Sequence, residues 1–168
     1  MKMKTKRLTI RLLSPDDWKS MQTIAADFAA SEYAVYDRPL PTEDNEIREL
    51  TGRFAATQLF FAVLLDDSMI GYVCFHEEDG RFDLGYCFHS AFHGQGFARE
   101  ACAALMEHIA QNHRVEAFTA GTALENKPSC RLLEKLGFTL EGTERLAFNQ
   151  DAEGRDIEFE GGNFIRKG

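Results

Sequence analysis

Near the start of the chain, apolar and polar positions alternate. Leu8, Ile10 and Leu12 are interleaved with Thr9 and Arg11, which predicts a first strand. Ser14-Pro15-Asp16-Asp17 then carries the chemistry of a helix start. A serine oxygen accepts from first-turn amides, proline fits where an amide has no partner, and two acids suit the positive helix end. That helix is predicted to reach about Ala30. Pro39 and Pro41 break the chain, and Thr42 is the expected cap of a second helix ending near Gln58. Three apolar runs follow: LFFAVLLD (59–66), MIGYVCFHE (69–77) and RFDLGYCFH (81–89). Asp66-Asp67-Ser68 and Glu78-Asp79-Gly80 separate them with turn chemistry, so the three read as a β-meander.

The period then becomes helical. From Gly96 to about Gln111, Phe97, Ala101, Ala104, Leu105 and His108 fall on one face. EAFTAGT (116–122) predicts a short strand, and Lys127 to Leu136 a helix stopped by Gly137. FTLEGTERLAF (138–148) and RDIEFEGGNFI (155–165) predict two last strands around a turn at Asn149–Gly154. The order β-α-α-β-β-β-α-β-α-β-β gives an α+β fold. It places about four helices around one mixed, mostly antiparallel sheet of about seven strands, as a single domain over residues 1–168.

Composition narrows the function classes. With 168 residues, 44% of them apolar and 27% charged, the chain can bury a core without staples. A formal net charge of -8 repels phosphate backbones, so no nucleic-acid partner is expected, and cationic amines are weakly favoured. Cys74, Cys87, Cys102 and Cys130 form no C-x-x-C pair. The basic start MKMKTKRLTIRLLS lacks the apolar run of a signal peptide, and no segment has the ~20 apolar residues that span a bilayer. The expected location is the cytoplasm, with reduced thiols and no membrane partner.

Two segments carry candidate chemistry. Phe92-His93-Gly94-Gln95-Gly96-Phe97-Ala98 joins a predicted strand to a predicted helix. Glycine lets backbone N–H groups approach an anion, and the helix adds its positive end, so the loop suits a phosphate or diphosphate. The plainer reading is a tight strand-to-helix turn. A Walker loop is excluded because no Gly-Lys-Ser/Thr follows, and a dinucleotide fingerprint because Arg99 stands where its third glycine belongs. The second segment is N-x-x-S-x-x-L-L-x-x-L-G-F, formed by Asn126, Ser129, Leu132, Leu133, Leu136, Gly137 and Phe138. Locally it is an asparagine-capped helix with a glycine stop.

Together, HGQGFA and NKPSCRLLEKLGF resemble the diphosphate loop and second motif of the GNAT N-acetyltransferase superfamily, about 30 residues apart as in that family. TKRLTIRLLSPDDW and DLGYCFHSAFHGQGFAREA are similar to its ribosomal-protein N-terminal acetyltransferase (RimJ/RimL-type) branch, which also serves small amines. The resemblance implies an enzyme that transfers acetyl from acetyl-CoA to a primary amine, on a protein N-terminus or a small molecule, by direct attack in a ternary complex. It implies a cofactor site at His93, Gly94, Gln95, Gly96, Phe97, Ala98, Arg99, Asn126 and Ser129, with backbone amides at Tyr86, Cys87 and Phe88 near the thioester. It also implies pantetheine between two splayed strands, Arg81–His89 and Glu116–Thr122. This sequence departs from the family at His93, where relatives usually carry Gln or Arg, and at Leu133, where many carry a tyrosine acid.

The chemistry needs a base for the arriving ammonium. Asp83, His76, Glu77 and Glu78 are candidates, with Asp83 first. A two-residue turn at Asp79-Gly80 puts His76 opposite Asp83, as a proton-relay pair or as an ordinary cross-strand pair. Ser129 is the nearest replacement for the missing acid. Tyr33, Tyr36 and Asp37 fall near the acceptor by family analogy. Cys74-x-His76 and Cys87-x-His89 each put two metal-type ligands on one strand face, but the register keeps the four apart, so no metal is expected. The alternative function is a non-catalytic CoA-binding sensor or partner module. The chain is expected to be a monomer or homodimer.

Overall fold

The computed structural model describes all 168 residues, and its backbone follows the expected alternation of elements with one addition. Strand β1 (Lys2–Lys4) pairs antiparallel with β2 (Thr9–Leu12), making eight strands instead of seven. β1 is three residues long and flanked by lysines, so it has no alternating apolar signal and sits at a sheet edge where charge is tolerated. The expected first helix opens with a 3₁₀ turn (Pro15–Asp17) before α1 (Trp18–Ala29). Ser14 and Asp17 form a reciprocal capping box there, and Arg11 holds Asp17 with two 2.8 Å hydrogen bonds. Helix α2 (Asp44–Ala56) is capped by Glu43 rather than by Thr42, because the Glu43 carboxylate reaches the amides of Asn45 and Glu46.

The meander is β3 (Phe60–Leu65), β4 (Ser68–Glu78) and β5 (Arg81–Phe88). Asp79 and Gly80 both have positive φ, as a two-residue hairpin of the primed type requires, and the register pairs His76 with Asp83 as expected. Helix α3 (Phe97–Asn112) follows, then β6 (Ala117–Ala123) and α4 (Lys127–Lys135). Gly137, at φ +92°, ends α4, and the Phe138 amide reaches back to the Leu133 carbonyl. The closing strands β7 (Thr139–Gln150) and β8 (Asp156–Lys167) are longer than the sequence suggests, with their turn at residues 151–155.

The sheet order is β1-β2-β3-β4-β5-β6-β8-β7, and only β5 and β6 are parallel. A cluster of 22 buried residues fills the face under α3 and α4, including Phe82, Leu84, Phe97, Leu105, Ile109, Phe118 and Leu133. A smaller cluster of Leu13, Met21, Ile24, Ile47, Ala62 and Tyr72 lies under α1 and α2. No helix is long and apolar enough to cross a membrane.

Candidate active site

The site starts from a defect in the sheet. β5 and β6 pair only at Arg81–Asp83 with Ala117–Thr119, then part. Both strands keep their outer partners: β5 pairs with β4 through Phe88, and β6 with β8 through Ala123. The gap between them therefore opens toward the ends that lead into the glycine loop and α4. Which β5 amides face the gap follows from the antiparallel ladder. His89 donates to the Ile70 carbonyl, and bonded pairs alternate from there. Residues 87, 85 and 83 thus turn their backbone groups toward β4, while Leu84, Tyr86 and Phe88 turn theirs into the gap. Of the three amides expected there, Tyr86 and Phe88 fit. Cys87 does not, because its amide is directed at Tyr72 across the β4–β5 ladder.

The gap's open end meets the glycine loop. Gly94 and Gly96 both have positive φ, +75° and +81°. Gly96 is the left-handed N-cap of α3 and offers no side-chain cap. Six consecutive amides, Gly94 through Arg99, have no hydrogen-bond acceptor within the protein. Such a run at a helix N-terminus is a ready anion site. His93 contributes differently from its neighbours. Its amide donates to the Ser90 carbonyl, and its Nε2 lies 2.7 Å from the Phe88 carbonyl oxygen, so it braces the loop from below.

The gap's closed end holds the polar side chains. Asp83 lies next to Thr119 across the last parallel rung, and the Thr119 hydroxyl donates to Asp83 Oδ1 at 2.8 Å. His76 is the opposite neighbour in register, but the two make no ion pair within 4 Å. The expected His76–Asp83 relay pair is therefore an alignment across strands, and the bonded partner is Thr119. Partial desolvation raises the Asp83 carboxyl above its ordinary value, against the lowering effects of the Thr119 bond and the His76 charge. Thr119 was invisible in the sequence because the β5–β6 register depends on the fold.

On the other face of β5, the Tyr86 hydroxyl lies 2.6 Å from Ser129 Oγ, linking β5 to α4 across the gap. Burial pushes the Tyr86 hydroxyl well up. Asn126 caps α4 through the Ser129 amide. Leu133 is buried in the large core, so no hydroxyl substitutes for it at that position. Cys130 packs against the Ala123 and Leu124 carbonyls. Burial pushes the Cys74 and Cys87 thiols up to about 12, which keeps them protonated and poor nucleophiles. No group of three or more His, Cys, Asp and Glu side chains is arranged to hold a metal ion.

The 3₁₀ turn Ala34–Tyr36 packs against β7 and β8. The Tyr36 hydroxyl donates to Glu125 at 2.5 Å, one residue before Asn126. Asn149 Nδ2 donates to the carbonyls of Val35 and Asp37, at 3.0 and 2.8 Å. Desolvation raises the Asp37 carboxyl, and its charge adds to the burial that raises Tyr72 and Cys87. Tyr33, Tyr36 and Asp37 are thus anchored beside the second motif and the last hairpin.

Comparison with known proteins agrees with this architecture. Residues 7–139 match the family model described as an acetyltransferase (GNAT) domain. An uncharacterized N-acetyltransferase, YnaD, from Bacillus subtilis is 27% identical over 145 residues, covering 84% of this chain and 85% of that protein. A ribosomal-protein-serine acetyltransferase from Escherichia coli is 29% identical over 96 residues, 55% of this chain and 54% of that protein. Among solved structures, the apo ribosomal L7/L12 α-N-protein acetyltransferase RimL superposes with a TM-score of 0.83 at 18% identity, over 99% of this chain and 94% of its own. A GNAT-family acetyltransferase from Bacillus anthracis reaches 0.81 at 21% identity, over 99% and 98%.

Proposed function

The chain belongs to the acetyltransferase (GNAT) domain family, and from that premise we propose that this acetyl-CoA-dependent acetyltransferase acts on a primary amine by direct attack within a ternary complex. The observation that carries the reading is the continuity of the β5–β6 gap with six free amides at the start of α3. Those amides suit a diphosphate, and the gap suits a thin, hydrogen-bonding arm such as pantetheine. RimL has been crystallised with coenzyme A, and another structural relative, the microcin C7 immunity acetyltransferase MccE, with acetyl-CoA and AMP. Acetyl-CoA supplies an acetyl group already activated as a thioester.

The chain's own groups divide the remaining work. Amides from Gly94 to Arg99 hold the diphosphate, with His93 bracing the loop. Leu84, Tyr86 and Phe88 present backbone groups to the arm and to the thioester carbonyl oxygen. Asn126 keeps α4 in place. Asp83, with a raised pKa at the closed end of the gap, accepts the ammonium proton directly or through water, and His76 tunes its charge. The Tyr86–Ser129 hydroxyl pair stands where the departing thiolate needs a proton, with Ser129 as the donor. The acidic surface favours a cationic amine, and a ribosomal-protein N-terminus or a small amine fits this reading. Action in the cytoplasm fits the same reading.

The test is release of free CoA thiol from acetyl-CoA across a panel of N-terminal peptides, polyamines and amino acids. Direct attack predicts intersecting initial-velocity lines. Parallel lines would replace it with a covalent route, and CoA binding with no turnover on any amine would make the protein a binding module.

A further inference from the structure

We propose that Arg7, in the turn between β1 and β2, is a positioning residue that aims the cofactor loop's amides; the inference rests on the acetyl-CoA reading above. Arg7 is about 90 residues from the loop in sequence, yet it makes a concentrated set of contacts there. Its Nη1 donates to the Gln95 carbonyl at 2.8 Å. Its Nε donates to Glu100 Oε1 at 2.8 Å, and its backbone amide to Glu100 Oε2 at 2.9 Å. Its guanidinium lies 4.3 Å over the Phe97 ring. Thr5, in the same turn, donates to Glu100 as well.

The geometry gives these bonds a direction. In a trans peptide the carbonyl and the following N–H point opposite ways. By holding the Gln95 carbonyl on the β1–β2 side, Arg7 turns the Gly96 N–H away from that side, into the row of free amides. A glycine-flanked peptide has little else to fix it, because Gly94 and Gly96 lack side chains and Gly96 has no side-chain cap. A side chain at Gly96 would also meet Arg7, whose Nη2 is 3.3 Å from where the Cβ would stand.

Arg7 also corrects a charge. Glu100 lies in the first turn of α3, where a carboxylate helps the helix but opposes a bound diphosphate. Burial works to raise the Glu100 carboxyl, yet the bonds from Thr5 and Arg7 outweigh it and hold the group below its ordinary value. It stays ionised and is paired by Arg7, so the anion site is not left facing a bare negative charge. The rigid fork of arginine serves both partners in one fixed geometry, whereas a lysine ammonium is a point charge on a flexible stem.

Three variants test the proposal, read by CoA affinity in calorimetry and by steady-state kinetics. Arg7→Gln should weaken CoA binding about tenfold or more and raise the KM for acetyl-CoA, while kcat at saturating acetyl-CoA stays within about twofold. Arg7→Lys should not restore wild-type affinity; full restoration would mean that charge alone matters and would overturn positioning. Glu100→Gln separates the two ideas even if Arg7→Gln folds poorly. Removing a carboxylate beside a diphosphate should tighten binding on charge grounds, whereas releasing Arg7 should loosen it. The proposal expects looser binding, and tighter or unchanged binding overturns it. Absence of CoA binding by the wild type would overturn the cofactor reading itself, whereas variants that bind CoA like a CoA-binding wild type would overturn only the role of Arg7.

Discussion

Asp83 is where the chemistry of single residues is most exposed to test. Its carboxyl is held above the ordinary value of 3.8 by partial desolvation, with the Thr119 bond pulling the other way. A base must be ionised to act, so the acid limb of the kcat profile should lie above that value, with the rate rising as pH rises through it. Asp83→Asn should lower kcat by roughly 10²-fold or more and remove that limb. Equal limbs in the variant and the wild type would make Asp83 structural. Thr119→Val deletes a bond to the carboxylate form and should move the limb to still higher pH. The stability sign is opposite to the activity sign. A raised folded pKa means stability present at low pH and lost as pH rises through that pKa, so Asp83→Asn should melt higher than wild type at neutral pH. Ser129→Ala leaves the half-buried Tyr86 hydroxyl without its partner. It should lower kcat less than Asp83→Asn does and cost about 1–3 kcal/mol of stability, measured by urea unfolding.

At the scale of elements, the turn before α3 and the turn before α1 do different work. Gly96 at φ +81° and Gly154 at φ +79° share a backbone conformation that costs an L side chain about 1–2 kcal/mol. Gly154 has open space around it in the β7–β8 turn, whereas Gly96 is part of the anion loop. Gly154→Ala should lower the melting temperature without changing CoA affinity. Gly96→Ala should lower both, and equal CoA affinities in the two variants would reduce the loop to a turn. Before α1, burial works to raise Asp17, but the Arg11 bonds and the Ser14 amide hold it below 3.8. A depressed folded pKa gives stability that is present above 3.8 and lost as pH falls through the lower value. Asp17→Asn should therefore destabilise the protein at pH 6 and approach the wild type in acid, a convergence that thermal melts across pH can check.

For the molecule as a whole, the split sheet makes the cofactor part of the architecture. β5 and β6 share only three rungs, and a ligand between them ties the β1–β5 half to the β6–β8 half. CoA at ~100 times its dissociation constant should add about 2.7 kcal/mol to stability. Hydrogen exchange should slow at Leu84, Tyr86, Phe88 and the amides of residues 94–99, and should hardly change at β2–β3, where the two strands pair along their shared length. No melting shift with CoA or acetyl-CoA would remove the cofactor assignment.

The sequence by itself determined what depends on near neighbours. Period-two and helical spacing placed α1–α4 and seven of the eight strands, because such spacing is set by residues close together in the chain. The Asp79-Gly80 turn fixed the His76–Asp83 register, since a two-residue hairpin leaves one alignment. Motif spacing placed the glycine loop, Asn126 and Ser129. Tertiary structure alone decided the rest. β1 exists because Met3 finds Ile10 across a sheet edge, not through any pattern of its own. Cys87 left the set of gap-facing amides because ladder alternation, not residue type, directs a backbone N–H. Thr119, Arg7 and Asn149 met Asp83, Gln95 and the Val35–Asp37 carbonyls across 36, 88 and 112–114 positions. Contacts at such separation are set by how sheets and turns close in space, and no local spacing encodes them.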